Sequence, residues 1–102
     1  MLQQPEVVTL CGSTRFAAEH IAAHTRLSLE GAVVLLPALP QPGHELRPDD
    51  VQRLRDLHRQ KILMSNRVHV MNPGGYVGPT TASEVEFAQS LGKAVTYEHS
   101  DG

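Results

Sequence analysis

Glu84 lies in the stretch NPGGYVGPTTASEVEFA (72–88), where a glycine-rich loop runs into a helix-like segment. A carboxylate delivered this way can serve as a nucleophile or a base toward a substrate held by the loop. The same residues also fit a capping box, TASE (81–84), with Thr81 as N-cap and Glu84 returning a hydrogen bond to it. Local pattern alone leaves both roles open. Glu86 is two residues further on and projects to another side of the helix. In the loop, Gly74 and Gly75 are candidates for close backbone approach to a ligand. Tyr76 either lines a pocket or packs over the loop, and Ser83 is a further candidate contact.

The second chemically suggestive stretch is CGSTR (11–15). Gly12 permits close backbone approach, while Ser13 and Arg15 offer a hydroxyl and a guanidinium to a phosphate or carboxylate. The plainer alternative is a strand-to-helix turn with a capping serine and a solvated arginine. Other reactive side chains assemble less readily. Cys11, at a strand end, reads as a small buried hydrophobe rather than a nucleophile. His20 and His24 are spaced to chelate a metal, yet without a third ligand they read as a solvated helix face. His58 and Lys61 share a helix face and reach either a crevice or its rim, and His69 reads as a strand-face residue. No metal or cofactor is expected.

These residues need elements to position them. VVTLC (7–11) is a buried strand, followed by a helix from Thr14 to Glu30 that Gly31 ends. AVVLLPA (32–38) is a second strand, and the proline-rich segment 39–48 is a loop. Asp49 and Asp50 open a helix to about Ser65, with Val51, Leu54, Leu57, His58, Lys61 and Ile62 near one broad face. RVHVMN (67–72) is a third strand, 81–91 a third helix ended by Gly92, and AVTYE (94–98) a fourth strand. The tail HSDG (99–102) is expected to fray. This β-α-β-α-β-α-β order with apolar strands predicts a three-layer, Rossmann- or flavodoxin-like α/β fold with a parallel four-stranded sheet ordered 2-1-3-4. Ligands of such sheets bind beyond the carboxyl ends of the strands, where the order reverses. That point lies between strands 1 and 3, so CGSTR and NPGGYVGPTT converge there, each feeding a helix N-terminus suited to an anion.

Bulk properties narrow the class. A chain of 102 residues is expected to form a single domain (1–102), with 40% hydrophobic and 20% charged residues typical of soluble globular proteins. The net charge of −2, and nine Lys and Arg without a dense basic run, argue against a nucleic-acid partner. One cysteine excludes an internal disulfide and fits a reducing cytoplasm. No signal-peptide pattern opens the chain and no apolar run is long enough for a membrane, so a cytoplasmic location without membrane contact is expected.

CGSTRF, HRQKILMSNRVHVMNPGGYVG and TTASEVEFAQSLGKAV together resemble the nucleoside 2-deoxyribosyltransferase-like superfamily, which includes deoxynucleoside 5′-monophosphate N-glycosidases. The resemblance runs from about Val7 to Tyr97. It implies cleavage or transfer at the N-glycosidic bond of a small nucleoside or nucleotide, with Glu84, in SEVEFA, as nucleophile. It also implies a 5′-phosphate held by Gly12, Ser13 and Arg15, assistance from Ser83, and a homodimer with shared sites. An aspartate that orients the sugar in the wider superfamily has Lys61 as its nearest counterpart, and Leu63 and Asn66 stand where acidic residues are common. Two other readings remain: a catalytically silent nucleotide-binding module, and a lysine-decarboxylase-like phosphoribohydrolase, whose PGGxGTxxE motif PGGYVGPTTASE echoes.

Overall fold

The computed structural model describes residues 4–99. Its four strands, β1 (Val7–Cys11), β2 (Val33–Leu35), β3 (Arg67–Val70) and β4 (Ala94–Tyr97), form one all-parallel sheet in the order β2-β1-β3-β4. Three helices connect them: α1 (Ala17–Leu29), α2 (Pro48–Met64) and α3 (Pro79–Ser90). The predicted fold class and strand order are those of the structure.

Alternation along β1 divides the core in two. Val8 and Leu10 pack with Ala23 and Leu27 of α1 and with Met71, while Cys11 packs with Val68, Ile62 of α2 and Ala88 of α3. α1 therefore covers one sheet face, and α2 and α3 cover the other. The central strands β1 and β3 are buried nearly throughout, whereas β2 and β4 at the edges are half-exposed. Thr9, on the α2 face, satisfies its buried hydroxyl by donating to the Lys61 carbonyl at 2.9 Å.

Several boundaries differ from expectation for identifiable reasons. β2 ends at Leu35 rather than residue 38, where Pro37 lacks the N–H a ladder needs. α2 begins one residue early at Pro48, a good first helical residue, and the Arg47 amide donates to Asp50 Oδ2 at 3.0 Å. Leu57 lies off the inward stripe of α2 and is 49% exposed. α3 starts at Pro79 with Gly78 as N-cap, not at Thr81, so TASE is not a capping box. His99 is not frayed: its amide donates to Asn72 Oδ1 and its carbonyl accepts from Asn72 Nδ2, both at 2.9 Å. The remainder of the predicted tail, and the first three residues, lie outside the described residues. Among the described residues no helix is long and apolar enough to cross a membrane.

Candidate active site

Beyond the carboxyl ends of β1 and β3 lies a cleft of about 420 Å³. One rim is the chain leaving β1, Gly12–Thr14, and the other is the chain entering α3, from Tyr76 and Gly78 to Thr81 and Glu84. Pro37, Ala38, Pro40 and Leu46 from the β2–α2 connection, with Val51 and Leu54 of α2, supply an apolar wall. Arg55 and His58 of α2 complete it. The site thus has an apolar side suited to a flat ring and a polar side with helix N-termini.

The β1 loop is held tightly. Gly12 has φ +149°, and a Cβ there would stand 2.7 Å from the Met71 carbonyl oxygen, so a side chain is excluded by both backbone and space. Ser13 caps the 3-10 turn Thr14–Phe16 by accepting from the Arg15 amide at 3.3 Å. Beneath it, His20 is fully buried with Nε2 3.3 Å from the Ser13 carbonyl oxygen, and burial lowers its pKa. His20 therefore supports the loop from inside, and of the expected solvated face only His24, itself half-buried, retains solvent contact.

At the cleft floor three side chains meet. Cys11 Sγ lies 3.5 Å from His58 Nε2, which lies 3.7 Å from Glu84 Oε1. All three are buried. Desolvation pushes Glu84 up to about 7, against the opposing pull of the Arg59 and Arg55 charges. Desolvation, then the Lys61 and His20 charges, bring His58 down to about 4. Burial, reinforced by Glu84, pushes the Cys11 thiol far up, so it is no thiolate. Between these values the trio is uncharged, with Glu84 protonated and His58 neutral; above about pH 7 Glu84 becomes a carboxylate. Cys11, His58 and Glu84 also place donor atoms within 4.8 Å of one another, close enough to share one metal ion.

The expected site residues divide clearly. Gly12, Ser13, Tyr76 and Glu84 line the cleft. Glu84, at the sixth position of α3, has no capping role, which removes the structural alternative raised by its sequence context. Arg15 instead stacks its guanidinium over Tyr76 at 4.3 Å and Phe16 at 4.9 Å, bracing the aromatic rim. Gly74 and Gly75, with φ of 65° and 81°, shape the turn behind Tyr76 rather than the lining. Ser83 lies in an adjoining recess, accepting from Arg59 Nη2 at 3.0 Å. Lys61 donates to the Leu36 carbonyl at 2.7 Å and anchors the β2 exit, so it does not fill the sugar-orienting place. His58, one turn earlier on α2, is the side chain that reaches Glu84. His69, on a face of β3, is buried and contacts Thr96 Oγ1 and Glu98 Oε1, both at 2.8 Å.

A scan against protein-family models and a search of curated proteins each found no match.

Proposed function

We propose that the protein cleaves or transfers the N-glycosidic bond of a nucleoside or nucleoside 5′-monophosphate, with Glu84 as nucleophile. The observation that carries this reading is the Glu84 carboxyl on the floor of a cleft at the sheet's switch point, free of any helix-capping duty. An apolar wall on one side suits a base, and the Gly12–Ser13 loop forms the opposite, polar rim.

In the chemistry proposed, a Glu84 oxygen attacks C1′ while the C1′–N bond breaks and the base departs with the electron pair. Water, or the nitrogen of a second base, then attacks C1′, releasing Glu84 as carboxylate, and the attacking atom loses its proton. His58 is a positioning residue: as its Nε2–H tautomer it can donate toward Glu84 and favour the ionised form. The proposed setting is cytoplasmic, and the proposed assembly a homodimer.

A second reading is a nucleotide-binding module without turnover. One observation favours it: Glu84 is the sole carboxylate among the described cleft-lining residues, whereas glycosidases ordinarily use two. Incubation with a panel of nucleosides and 5′-monophosphates, ribo and deoxyribo, separates the two by free-base detection with Glu84→Gln as control. Release that persists in EDTA and disappears in the variant is expected. Retained nucleotide binding with no base released would establish the binding module, and a rate that requires added Zn²⁺ would recast Glu84 as a metal ligand beside Cys11 and His58.

A further inference from the structure

Next to the cleft lies a second recess of about 360 Å³, and the two share Arg55, Pro79, Thr80 and Glu84. Gln52, Arg59 and Ser83 line only the second, while the Gly12–Ser13 loop lines only the first. Glu84 therefore stands where the two spaces join.

The recess gathers complementary donors. Arg59 is braced before any ligand arrives, with its guanidinium 4.7 Å over the Phe87 ring and one N–H on Ser83 Oγ at 3.0 Å. Among the described residues no acceptor takes its other N–H groups or those of Arg55, which are left for a ligand. Thr80 contributes a hydroxyl and belongs to the first turn of α3, where backbone N–H groups lack intrahelical acceptors and no acidic side chain stands. Two arginines, a hydroxyl and the start of a helix line this one space, with the Glu84 carboxyl as the single acidic group among its described residues. Such a set of donors matches a tetrahedral oxyanion with several equivalent oxygens better than a single planar carboxylate.

We propose that this recess is a subsite for a phosphoryl group, separate from the Gly12–Ser13 loop and formed by Arg55, Arg59 and the start of α3. As part of substrate recognition it rests on the nucleotide chemistry proposed above; as an anion site it stands without it. On this account nucleotide selectivity depends on Arg55 and Arg59, and Arg15 contributes through its stacking on Tyr76.

The test titrates inorganic phosphate into ¹⁵N-labelled protein and follows backbone amides, so it does not depend on turnover. The Thr80 and Ser83 amides are expected to shift with saturation in the wild type and in Ser13→Ala, and to stay still in Arg55→Ala/Arg59→Ala. Because Arg59 packs on Phe87, the exposed Arg55→Ala alone provides a second variant, expected to weaken phosphate about tenfold or more. Amides that do not respond in the wild type, or respond equally in both arginine variants, would overturn the subsite. If base release is observed, the kcat/KM preference for a 5′-monophosphate over its nucleoside should fall about tenfold to a hundredfold in Arg55→Ala and much less in Arg15→Ala. The reverse ranking shows that the recess does not read the substrate's phosphate. Inhibition of nucleoside cleavage by free phosphate that is lost in Arg55→Ala identifies the same subsite filled from solution.

Discussion

Two glutamate–histidine pairs occupy opposite sides of the same sheet and behave in opposite ways. Under the cleft, Glu84 and His58 are 3.7 Å apart, buried, without a paired arginine, and Glu84 is pushed up to about 7. Across the sheet, Glu98 accepts from His69 at 2.8 Å and from both Nη atoms of Arg26 at 3.0 and 2.7 Å. The Arg26 hydrogen bond, the largest influence, holds Glu98 down to about 2. The residue types are alike; what differs is whether a fixed cation meets the carboxylate. A pair saturated by a bidentate arginine is finished chemically and ties α1 to the end of β4. A pair left desolvated beside an open cleft retains a group that changes charge near neutrality.

The contrast can be broken most sharply by exchanging function against stability. Glu84→Gln is expected to reduce base release by at least about a thousandfold while keeping a cooperative urea transition. Glu98→Gln should leave base release near wild type. His58→Asn is expected to cost roughly a hundredfold in kcat with little change in KM, and to move the acidic limb of the pH–rate profile upward. That direction rests on the role proposed for His58 as a donor toward the Glu84 carboxylate, whose loss raises the carboxyl pKa. Gly12→Ala probes the loop between the two regions and should destabilise by roughly 1–3 kcal/mol, read from urea midpoints, because its Cβ meets the Met71 carbonyl at a disfavoured φ. Glu98→Gln should cost a similar roughly 1–3 kcal/mol at neutral pH through its lost charged hydrogen bonds.

The pH dependence of stability also separates the two glutamates, which have opposite signs there. Glu98 is lowered on folding, so its contribution is present above 4.5 and lost as pH falls through about 2. Glu84 is raised on folding, so its favourable protonated form is fully populated below 4.5 and is lost as pH rises through about 7. His58 is lowered, so its contribution is present above 6.5 and lost as pH falls through about 4. Between 4.5 and 6.5 Glu84 and His58 therefore oppose each other. His20 is also lowered by burial and adds a rise with pH in every variant. Urea midpoints across that window should therefore climb more steeply in Glu84→Gln than in wild type, and less steeply in His58→Asn.

Much of the fold was legible because β1 and β3 are nearly continuous apolar runs separated by helix-length segments, a pattern with few topological solutions. The convergence of the Gly12 and Tyr76 loops followed from strand order alone. The role of Glu84 was harder, since TASE satisfies a capping pattern. Gly78-Pro79 was the available counter-signal, as proline favours the first helical position and moves the cap upstream. His58 was missed as the partner of Glu84 because periodicity gives a helix face but not the depth of each residue beneath a neighbouring helix. The stacking of Arg15 was not legible either, because its charge suggests a ligand while the approach of the Tyr76 ring is created by tertiary packing. His20 likewise shows no local sign of lying under the Ser13 carbonyl.

The most direct measurement of the central claim is intact and peptide mass spectrometry after exposure to a 2′-fluoro nucleotide or nucleoside analogue, whose electron-poor sugar slows breakdown of a glycosyl-enzyme. The account predicts a mass increase of one fluorinated sugar unit, located on the peptide containing Glu84 and absent from Glu84→Gln. Base release by the wild type with no such adduct, or with an adduct on another side chain, would contradict it.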